Sequence, residues 1–400
     1  MKITYETHYK SSREDGRHAA TIAAFMERLR NTPSALSVPQ QMDKEGFEAW
    51  REALKRKVRE LLCLDFWEKE AQGQPAPKKL SSVKRDTYTV EKWEFYPDAY
   101  SVVPFLALIP DGASPQNPVP GVMCLPGSTF SKEFLAGEPL IDKANCQMQK
   151  YPERNRMALY IVKNGMAAFV FDNPETAECT LEIERLHDYG YRARVQLCHG
   201  LLQSGFSYFG LSTAQKLCAL DFIKTLPYVD GNRLGISAHS LGADDAMHIS
   251  LLRDEIRAVV INELVAEAKH HYYSVTEYEE TEMKNDVGSW HIVPGMFMNY
   301  DEADLLAALA PKWLALNEGG ADYYLDKIRM TYRMHGAEDR LQINYYPKYA
   351  DPATRSKQYL PPKAGLSVES YFEYTNTDAL DHSYREAPSI ALLKKAFFES

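Results

Sequence analysis

The stretch that most constrains the fold of this chain is residues 233–243, Arg-Leu-Gly-Ile-Ser-Ala-His-Ser-Leu-Gly-Ala. An apolar run of strand length leads into Ser240, and the small residues Ala238 and Gly242 stand two positions before and after it. A helix-forming segment follows at once. This layout predicts a sharp strand-turn-helix, or nucleophile elbow, in which the serine adopts a strained backbone and only small neighbours fit. Ala238 stands where such turns usually have glycine, and an ordinary turn is the alternative interpretation of the short pattern alone.

Composition limits the partners that this chain can have. Of its 400 residues, 45% are hydrophobic and 25% charged, which allows a large core. A net charge of −9 and a pI near 5.7 argue against nucleic-acid and anionic-membrane partners, because phosphate binding needs clustered Lys and Arg. The amino terminus lacks the apolar centre of a signal peptide. We therefore expect a cytoplasmic protein, or an exported one whose signal has been removed, and a homo-oligomer stays open.

The cysteines and histidines give no sign of a metal or cofactor site. The cysteines are scattered without a C-x-x-C spacing, although Cys179 and Cys198 lie in a loop-rich segment and could pair in an exported protein. His270 and His271 are adjacent, so their side chains diverge on any regular element, and no third ligand stands at metal spacing. We expect neither a metal nor a cofactor.

Hydrophobic periodicity divides the chain into two parts. Residues 1–85 read as a helical extension that ends in a Pro-containing linker near residue 75 and a basic, solvated stretch at residues 78–85. Strands and helices alternate through residues 86–400, which predicts an α/β domain with a mostly parallel central sheet flanked by helices. Three segments do not fit the alternation and are interpreted as lids or walls over a site. They are residues 175–211, 265–306 and 348–381.

A serine nucleophile needs an acid that orients its base, and the acid should follow a strand beyond the elbow. Asp322 is the leading candidate, because it lies beyond an apolar strand and a glycine turn. Glu318 in the same turn and Glu263 after the preceding strand are the rivals. A helix N-cap is the alternative role for Asp322.

The base candidate is His382, which comes just before the last predicted helix. His335 is its main competitor but comes too early in the chain for the expected order. His239 stands inside the elbow, and strand alternation predicts that it points away from Ser240 as a packing residue.

The oxyanion of an acyl-transfer intermediate needs backbone donors near the serine. We expect them to be the amides of Leu241, directly after the nucleophile, and of Ser128 or Thr129 in the loop that follows an upstream strand. The alternative is that Pro126-Gly127-Ser128 is simply a turn.

Several motifs in order resemble one branch of a known superfamily. Residues 126–138, Pro-Gly-Ser-Thr-Phe-Ser-Lys-Glu-Phe-Leu-Ala-Gly-Glu, are similar to the glycine-rich loop of the acetyl xylan esterase-like, dienelactone-hydrolase-related branch of the α/β-hydrolases. Residues 230–235, 293–296 and 318–322 fit the same branch. The resemblance implies a carbohydrate esterase that removes ester groups, acetyl foremost, from small-molecule or oligosaccharide substrates. Carried over by position, Ser240 is the nucleophile, Asp322 the acid and His382 the base.

The sequence leaves the ester and the activity open. Methylesterases and glucuronoyl esterases share the architecture, so a uronic-acid ester is an alternative, and Arg192 and Arg194 could bind its carboxylate or be surface charges. Aromatic residues within 271–299 could stack on sugar rings or pack a lid. A peptidase-like hydrolase and a non-catalytic scaffold kept for binding are the further alternatives.

Overall fold

The computed structural model describes residues 9–143, 154–187, 192–276 and 288–399, with the backbone of Tyr278–Glu279 and Glu282–Met283 between the last two ranges. Nine strands in these ranges form one sheet. In chain order they are β1 (Lys78–Lys84), β2 (Tyr88–Phe95), β3 (Val103–Pro110), β4 (Val119–Leu125), β5 (Ala167–Phe171), β6 (Val229–His239), β7 (Ile256–Asn262), β8 (Trp313–Leu316) and β9 (Leu341–Ile343).

The order of strands across the sheet is β1-β2-β3-β5-β4-β6-β7-β8-β9. The pairs β1–β2, β2–β3 and β3–β5 are antiparallel, and every pair from β5 to β9 is parallel. This confirms the predicted α/β-hydrolase architecture. Because parallel strands end at the same edge, the residues that follow β4, β6, β7 and β8 meet there.

Helices cover both faces of the sheet. The α-helices of the described residues are α1 (Thr21–Arg30), α2 (Lys44–Leu61), α3 (Leu64–Glu70), α4 (Lys132–Ala136), α5 (Met157–Lys163), α6 (Glu182–His187), α7 (Arg192–Gln203), α8 (Tyr208–Ile223), α9 (Leu241–Leu252), α10 (Ala268–Ser274), α11 (Met296–Asn299), α12 (Glu302–Ala307), α13 (Asp322–His335), α14 (Val368–Tyr374) and α15 (Glu386–Phe398). Among the helices that the structure describes, none is both long enough and apolar enough to cross a membrane.

Successive side chains of the central strands pack alternately into two separate hydrophobic cores, one on each face of the sheet. Met123 and Leu125 of β4 pack into one core with α8, α9 and α13, whereas Val122 and Cys124 pack into the other with α4, α5 and α15. This is the period of two that a strand buried on both faces requires.

Helices α2 and α3 of the amino-terminal region are part of the main core. Phe47, Trp50, Leu54 and Val58 recur every three or four residues along α2 and are buried against the sheet domain. Asp43 caps α2 by accepting a hydrogen bond from the amide of Gly46. Within residues 9–77 the structure thus has helices at Thr21–Arg30, Lys44–Leu61 and Leu64–Glu70.

The basic stretch at residues 78–85 is solvated, as expected, but it is a strand of the sheet and not a linker. Residues Lys78–Lys84 form the edge strand β1, antiparallel to β2. All seven side chains are exposed, so the strand has no hydrophobic alternation to reveal it, and its lysines are typical of a protected sheet edge. The sheet thus begins before residue 86.

The three irregular segments contain short helices rather than bare loops. Helices α6 and α7 lie in the first segment, α10 to α12 in the second, and α14 in the third. Cys179 and Cys198 are both free thiols in the structure, so they do not form the disulfide considered for an exported protein.

Candidate active site

Ser240 occupies the turn that the sequence predicts. Strand β6 ends one residue before it, and helix α9 begins one residue after it. Its backbone has φ 52° and ψ −127°, a region that non-glycine residues rarely adopt. The amide of Ser240 donates to the carbonyl of Asn262 at 3.0 Å, and the amide of Ala243 donates to the Ser240 carbonyl at 2.7 Å. The predicted elbow geometry is confirmed.

The elbow requires a glycine at position 242 because helix α9 starts against the end of β4. A Cβ at Gly242 would lie 2.4 Å from the carbonyl oxygen of Leu125. A Cβ at Gly127 would lie 3.3 Å from the Cβ of Ser240, so the loop after β4 covers the serine closely. Ala238 is fully buried in β6, and its methyl group is accommodated in the main core.

His382 is held by Glu318 at the edge of the sheet where β6, β7 and β8 end. The Nδ1 atom of His382 lies 2.6 Å from Oε2 of Glu318. Glu318 is fully buried and also accepts hydrogen bonds from the Tyr346 hydroxyl at 2.6 Å and the Ser383 amide at 3.2 Å. The His382 side chain keeps 30% of its surface exposed. This arrangement fixes the ring and leaves Nε2 for another partner.

The structure places Asp322, the leading acid candidate, elsewhere. It is the first residue of α13, and its carboxylate lies 3.1 Å from Arg329 on the same helix. The carboxylate that contacts His382 Nδ1 is instead Glu318, one of the two rivals.

The glycine turn explains this difference. Gly319 has φ 71° and Gly320 φ 149°, and a Cβ at either position would overlap Tyr345 or Val265. The chain therefore doubles back directly after Glu318, and the two glycines carry it away from His382 before it reaches Asp322.

Glu263, the other rival, follows β7 and lies on the opposite side of the His382 ring. Its Oε2 is 3.8 Å from His382 Nε2. Burial raises the pKa of Glu263 to about 7, although nearby His382 opposes the shift. Burial disfavours the charged form of His382, but Glu263 and Glu318 outweigh it and raise the pKa of the imidazole to about 9. The histidine is therefore coupled to two carboxylates.

His239 does not turn away from the site as strand alternation predicts. Its buried ring stacks on that of His382, with centroids 4.5 Å apart and planes at 27°. It is the last residue of β6, where the sharp turn already redirects the chain. Burial lowers its pKa well below the usual value, and the charge of His382 adds to the shift. His239 thus packs against the ring of His382, the base candidate.

The same residues offer a possible metal-ligand set. Donor atoms of His239, Glu318 and His382 all lie within 4.8 Å of one another. The Nδ1 of His382 and the carboxylate of Glu318 already share a hydrogen bond, so an ion could use both only by breaking it.

The other histidine candidates have structural partners. His335 lies on α13, where its Nδ1 contacts the carbonyl of Thr331 at 2.8 Å and its ring packs on Phe47. His270 contacts Glu267 at 3.1 Å, and His271 packs on Tyr371.

The loop after β4 has its carbonyls fixed by buried side chains. Asn173 Nδ2 donates to the carbonyls of Pro126 at 3.1 Å and Gly127 at 3.2 Å, and Arg194 Nη2 donates to that of Ser128 at 2.8 Å. In a trans peptide, the amide points opposite to the preceding carbonyl. Fixing the Gly127 and Ser128 carbonyls therefore sets the directions of the Ser128 and Thr129 amides, the two predicted donors of this loop. Leu241, the third, begins α9 beside Ser240.

A buried network connects this loop to the elbow helix. Lys216 Nζ lies 2.6 Å from Asp245 of α9 and 3.3 Å from Oδ1 of Asn173. Ser212 and Thr213 also donate to the Asp245 carboxylate. The sequence offered no motif for Asn173, and its only signal was a position two residues after the buried strand β5.

Arg194 and Trp290, two of the predicted uronate or sugar contacts, pack against each other. Arg194 is 1% exposed, so it is neither a surface charge nor open to a substrate carboxylate, and its guanidinium lies 5.3 Å from the ring centre of Trp290. Tyr272 packs near Phe25 and Phe297. Arg192 begins α7. The side chain of Tyr278 lies outside the described residues.

Comparison with known proteins agrees with this fold. The sequence profile of the Abhydrolase family matches residues 3–395. A solved structure from Bacteroides fragilis NCTC 9343, provisionally named an acetyl xylan esterase, is 32% identical with a TM-score of 0.89 and aligns over 97% of this chain and 98% of its own. No curated protein shows significant similarity to the chain.

Two more distant structures share the fold. A methylesterase is 15% identical with a TM-score of 0.53, over 96% of this chain and 77% of its own. A glucuronoyl esterase from Solibacter usitatus is 14% identical with a TM-score of 0.50, over 86% of this chain and 97% of its own. At these identities the likeness concerns the fold alone.

Proposed function

The chain belongs to the Abhydrolase family, and from that premise we propose that it hydrolyses carboxylic esters through Ser240, His382 and Glu318. The observation that carries the proposal is the hydrogen bond between His382 Nδ1 and Glu318, together with a serine in elbow geometry directly after His239, whose ring stacks on that of His382. Glu318 takes the role that the sequence had favoured for Asp322. The order serine, acid, histidine along the chain is the one expected for an elbow of this kind.

Each residue has a defined task in this reaction. Ser240 Oγ attacks the ester carbonyl, and His382 Nε2 accepts its proton and then gives it to the leaving alcohol. Glu318 accepts the Nδ1 proton of His382, which holds the reactive tautomer and stabilises the imidazolium. Water then attacks the acyl-enzyme by the reverse route and releases the acid.

The backbone supports this chemistry at the carbonyl oxygen. The amides of Leu241 and of Ser128 or Thr129 are the proposed donors to the oxyanion. Asn173 and Arg194 keep that loop in place, so the donors need no rearrangement as charge develops.

We propose a carbohydrate ester as the substrate class, on the basis of the esterase from Bacteroides fragilis that aligns over nearly the whole chain. Acetyl is the smallest acyl group of this class. A uronic-acid ester remains the alternative, but Arg194, one of the two arginines considered for its carboxylate, is buried against Ser128 and Trp290. The helical character of α1 to α3 gives no support to a peptidase with a large amino-terminal propeller.

Hydrolysis of p-nitrophenyl acetate tests the reaction type. We expect measurable turnover that Ser240→Ala abolishes while the circular dichroism spectrum and thermal unfolding stay unchanged. Equal turnover in Ser240→Ala would refute the proposal, and silence of the wild type toward every ester and toward a fluorophosphonate would favour a non-catalytic scaffold. Acetylated xylan and pectin fragments against methyl-esterified uronides, followed by release of acetate or methanol, then separate the substrate classes.

A further inference from the structure

A large apolar cavity opens beside Ser240. Its volume is about 720 Å³, within the range typical of small-molecule sites, and Ser240 and Leu241 are part of its wall. Most of the remaining wall is aliphatic or aromatic. The cavity is therefore continuous with the site of the proposed reaction.

Helix α1 of the amino-terminal region forms one side of this cavity. Ile22, Phe25, Met26 and Leu29 all line it, which is a stripe at helical spacing. The helix is anchored by Met26 and Leu29, which are buried in a small cluster with Tyr273 of α10. Helix α1 therefore covers part of the active-site region.

The rim of the cavity carries apolar side chains that water still reaches. Ile22 and Phe25 are 43% and 47% exposed, and Ile292 and Met298 on the facing segment are 42% and 46% exposed. A cluster of exposed apolar side chains around one opening is typical of a binding site for an apolar ligand.

The charged groups of the wall argue against an anionic ligand. Among the described residues, the wall includes Asp244, Glu263, Glu267 and Glu302 but no lysine or arginine. Burial and neighbouring Asp244 raise the pKa of Glu302 well above its usual range, which favours the neutral acid. A neutral, apolar group suits this environment better than a sugar acid.

The position of the cavity relative to the histidine assigns it to one side of the ester. The acyl carbon must lie between Ser240 and the Leu241 amide, and both residues are part of the cavity wall. The leaving alcohol must receive its proton from His382, whose ring is not part of the wall and borders it through Glu263, 3.8 Å from Nε2. Resting on the proposed esterase function, we propose that this cavity holds the acyl part of the substrate, an apolar chain longer than acetyl.

The proposal makes a graded prediction for the wild-type protein. Burial of each added methylene favours binding by about fourfold, so kcat/KM for p-nitrophenyl esters should rise by about threefold or more per added methylene from acetate toward octanoate, then level off when the cavity is full. Acetate esters of long alcohols should show no such rise.

A variant locates the effect. Ile22→Ser with Phe25→Ser should lower the octanoate-to-acetate ratio of kcat/KM by about tenfold or more, because the apolar wall of α1 is lost. Leu80→Ser with Val83→Ser is the matched control: these side chains are 43% and 44% exposed on edge strand β1, and their loss should leave the ratio unchanged.

The outcomes distinguish failure of this proposal from failure of the proposed esterase function on which it rests. Turnover of acetate that depends on Ser240 but falls with acyl length overturns the acyl cavity and leaves the esterase standing. A gain with long alcohols rather than long acyl chains overturns the assignment of the side. Turnover that does not depend on Ser240 at any chain length refutes the esterase itself.

Discussion

His382 Nδ1 lies 2.6 Å from Oε2 of Glu318, a residue that the chain reaches 64 positions earlier. The same carboxyl oxygen accepts the hydroxyl of Tyr346. Glu318 therefore has a fixed direction before any substrate arrives, and the ring of His382 takes its orientation from it.

Replacing Glu318 and Asp322 one at a time should show which of these two carboxylates, both just after β8, is the acid. Glu318→Gln keeps the side-chain shape but loses the charge, and we expect kcat to fall about 10²–10⁴-fold, since the corresponding change in a serine protease costs about 10⁴. Asp322→Asn is the control and should stay within about twofold, because its partner is Arg329. Steady-state kinetics of both variants on one activated ester measure these effects. A large loss of kcat in Asp322→Asn and little change in Glu318→Gln would identify Asp322 as the acid instead.

This prediction also shows what the sequence could and could not supply. The elbow follows from local spacing, because small residues around a serine have few other uses between an apolar strand and a helix. Choosing between Glu318 and Asp322 depends on where Gly319 and Gly320 turn the chain. The positive φ angles of these two glycines cannot be read from the amino-acid sequence. Asn173 carries no motif at all, since its role arises from carbonyls more than 40 residues away in the chain.

The edge strand β1 was hidden for a related reason. A strand with every side chain exposed has no alternation of apolar and polar residues, and its pairing with β2 rests on backbone hydrogen bonds and on contacts such as that of Lys79 with Glu91, 2.8 Å apart. Residues with strong local patterns, such as Phe47 to Val58 of α2, were predicted correctly.

The pH dependence should report the two carboxylates around His382. The histidine must be neutral to accept a proton, and negative charge nearby raises its pKa to about 9, so activity should be lost as pH falls through a value above the ordinary 6.5. Glu263→Gln removes one charge about 4 Å away, an interaction of about 1 kcal/mol even in water, and the acid limb of kcat/KM should move about one unit to lower pH.

Glu255→Gln is the matched control for that profile, because Glu255 pairs with Lys224 away from the site. Its acid limb should coincide with that of the wild type. A limb that stays in place in Glu263→Gln, or moves to higher pH, would contradict the assigned coupling.

Asn173 should act on the rate through the loop that it orients. Asn173→Ala removes the side-chain hydrogen bonds to the carbonyls of Pro126 and Gly127. We expect kcat to fall about 10–10²-fold, somewhat less than direct loss of an oxyanion donor, with KM little changed. Asn164→Ala, which removes only a contact to the Tyr160 carbonyl on α5, is the control. Equal losses in both variants, or a change confined to KM, would argue against a positioning role.

The close approach at Gly242 should appear as a loss of stability. A Cβ there would lie 2.4 Å from the backbone oxygen of Leu125, which no side-chain rotation relieves, and we expect Gly242→Ala to lower the free energy of unfolding by about 1–3 kcal/mol. A Cβ at Gly231 meets nothing within 4 Å, so Gly231→Ala should change stability by less than about 0.5 kcal/mol. Denaturant titration measures both, and equal stabilities would contradict the packing at the elbow.

The most direct test of the central claim is to react the protein with a fluorophosphonate and map the adduct by peptide mass spectrometry. The account predicts one adduct, on Ser240, that forms much more slowly in Glu318→Gln and is absent in Ser240→Ala. An adduct on a different residue, or labelling that persists unchanged in Ser240→Ala, would contradict it.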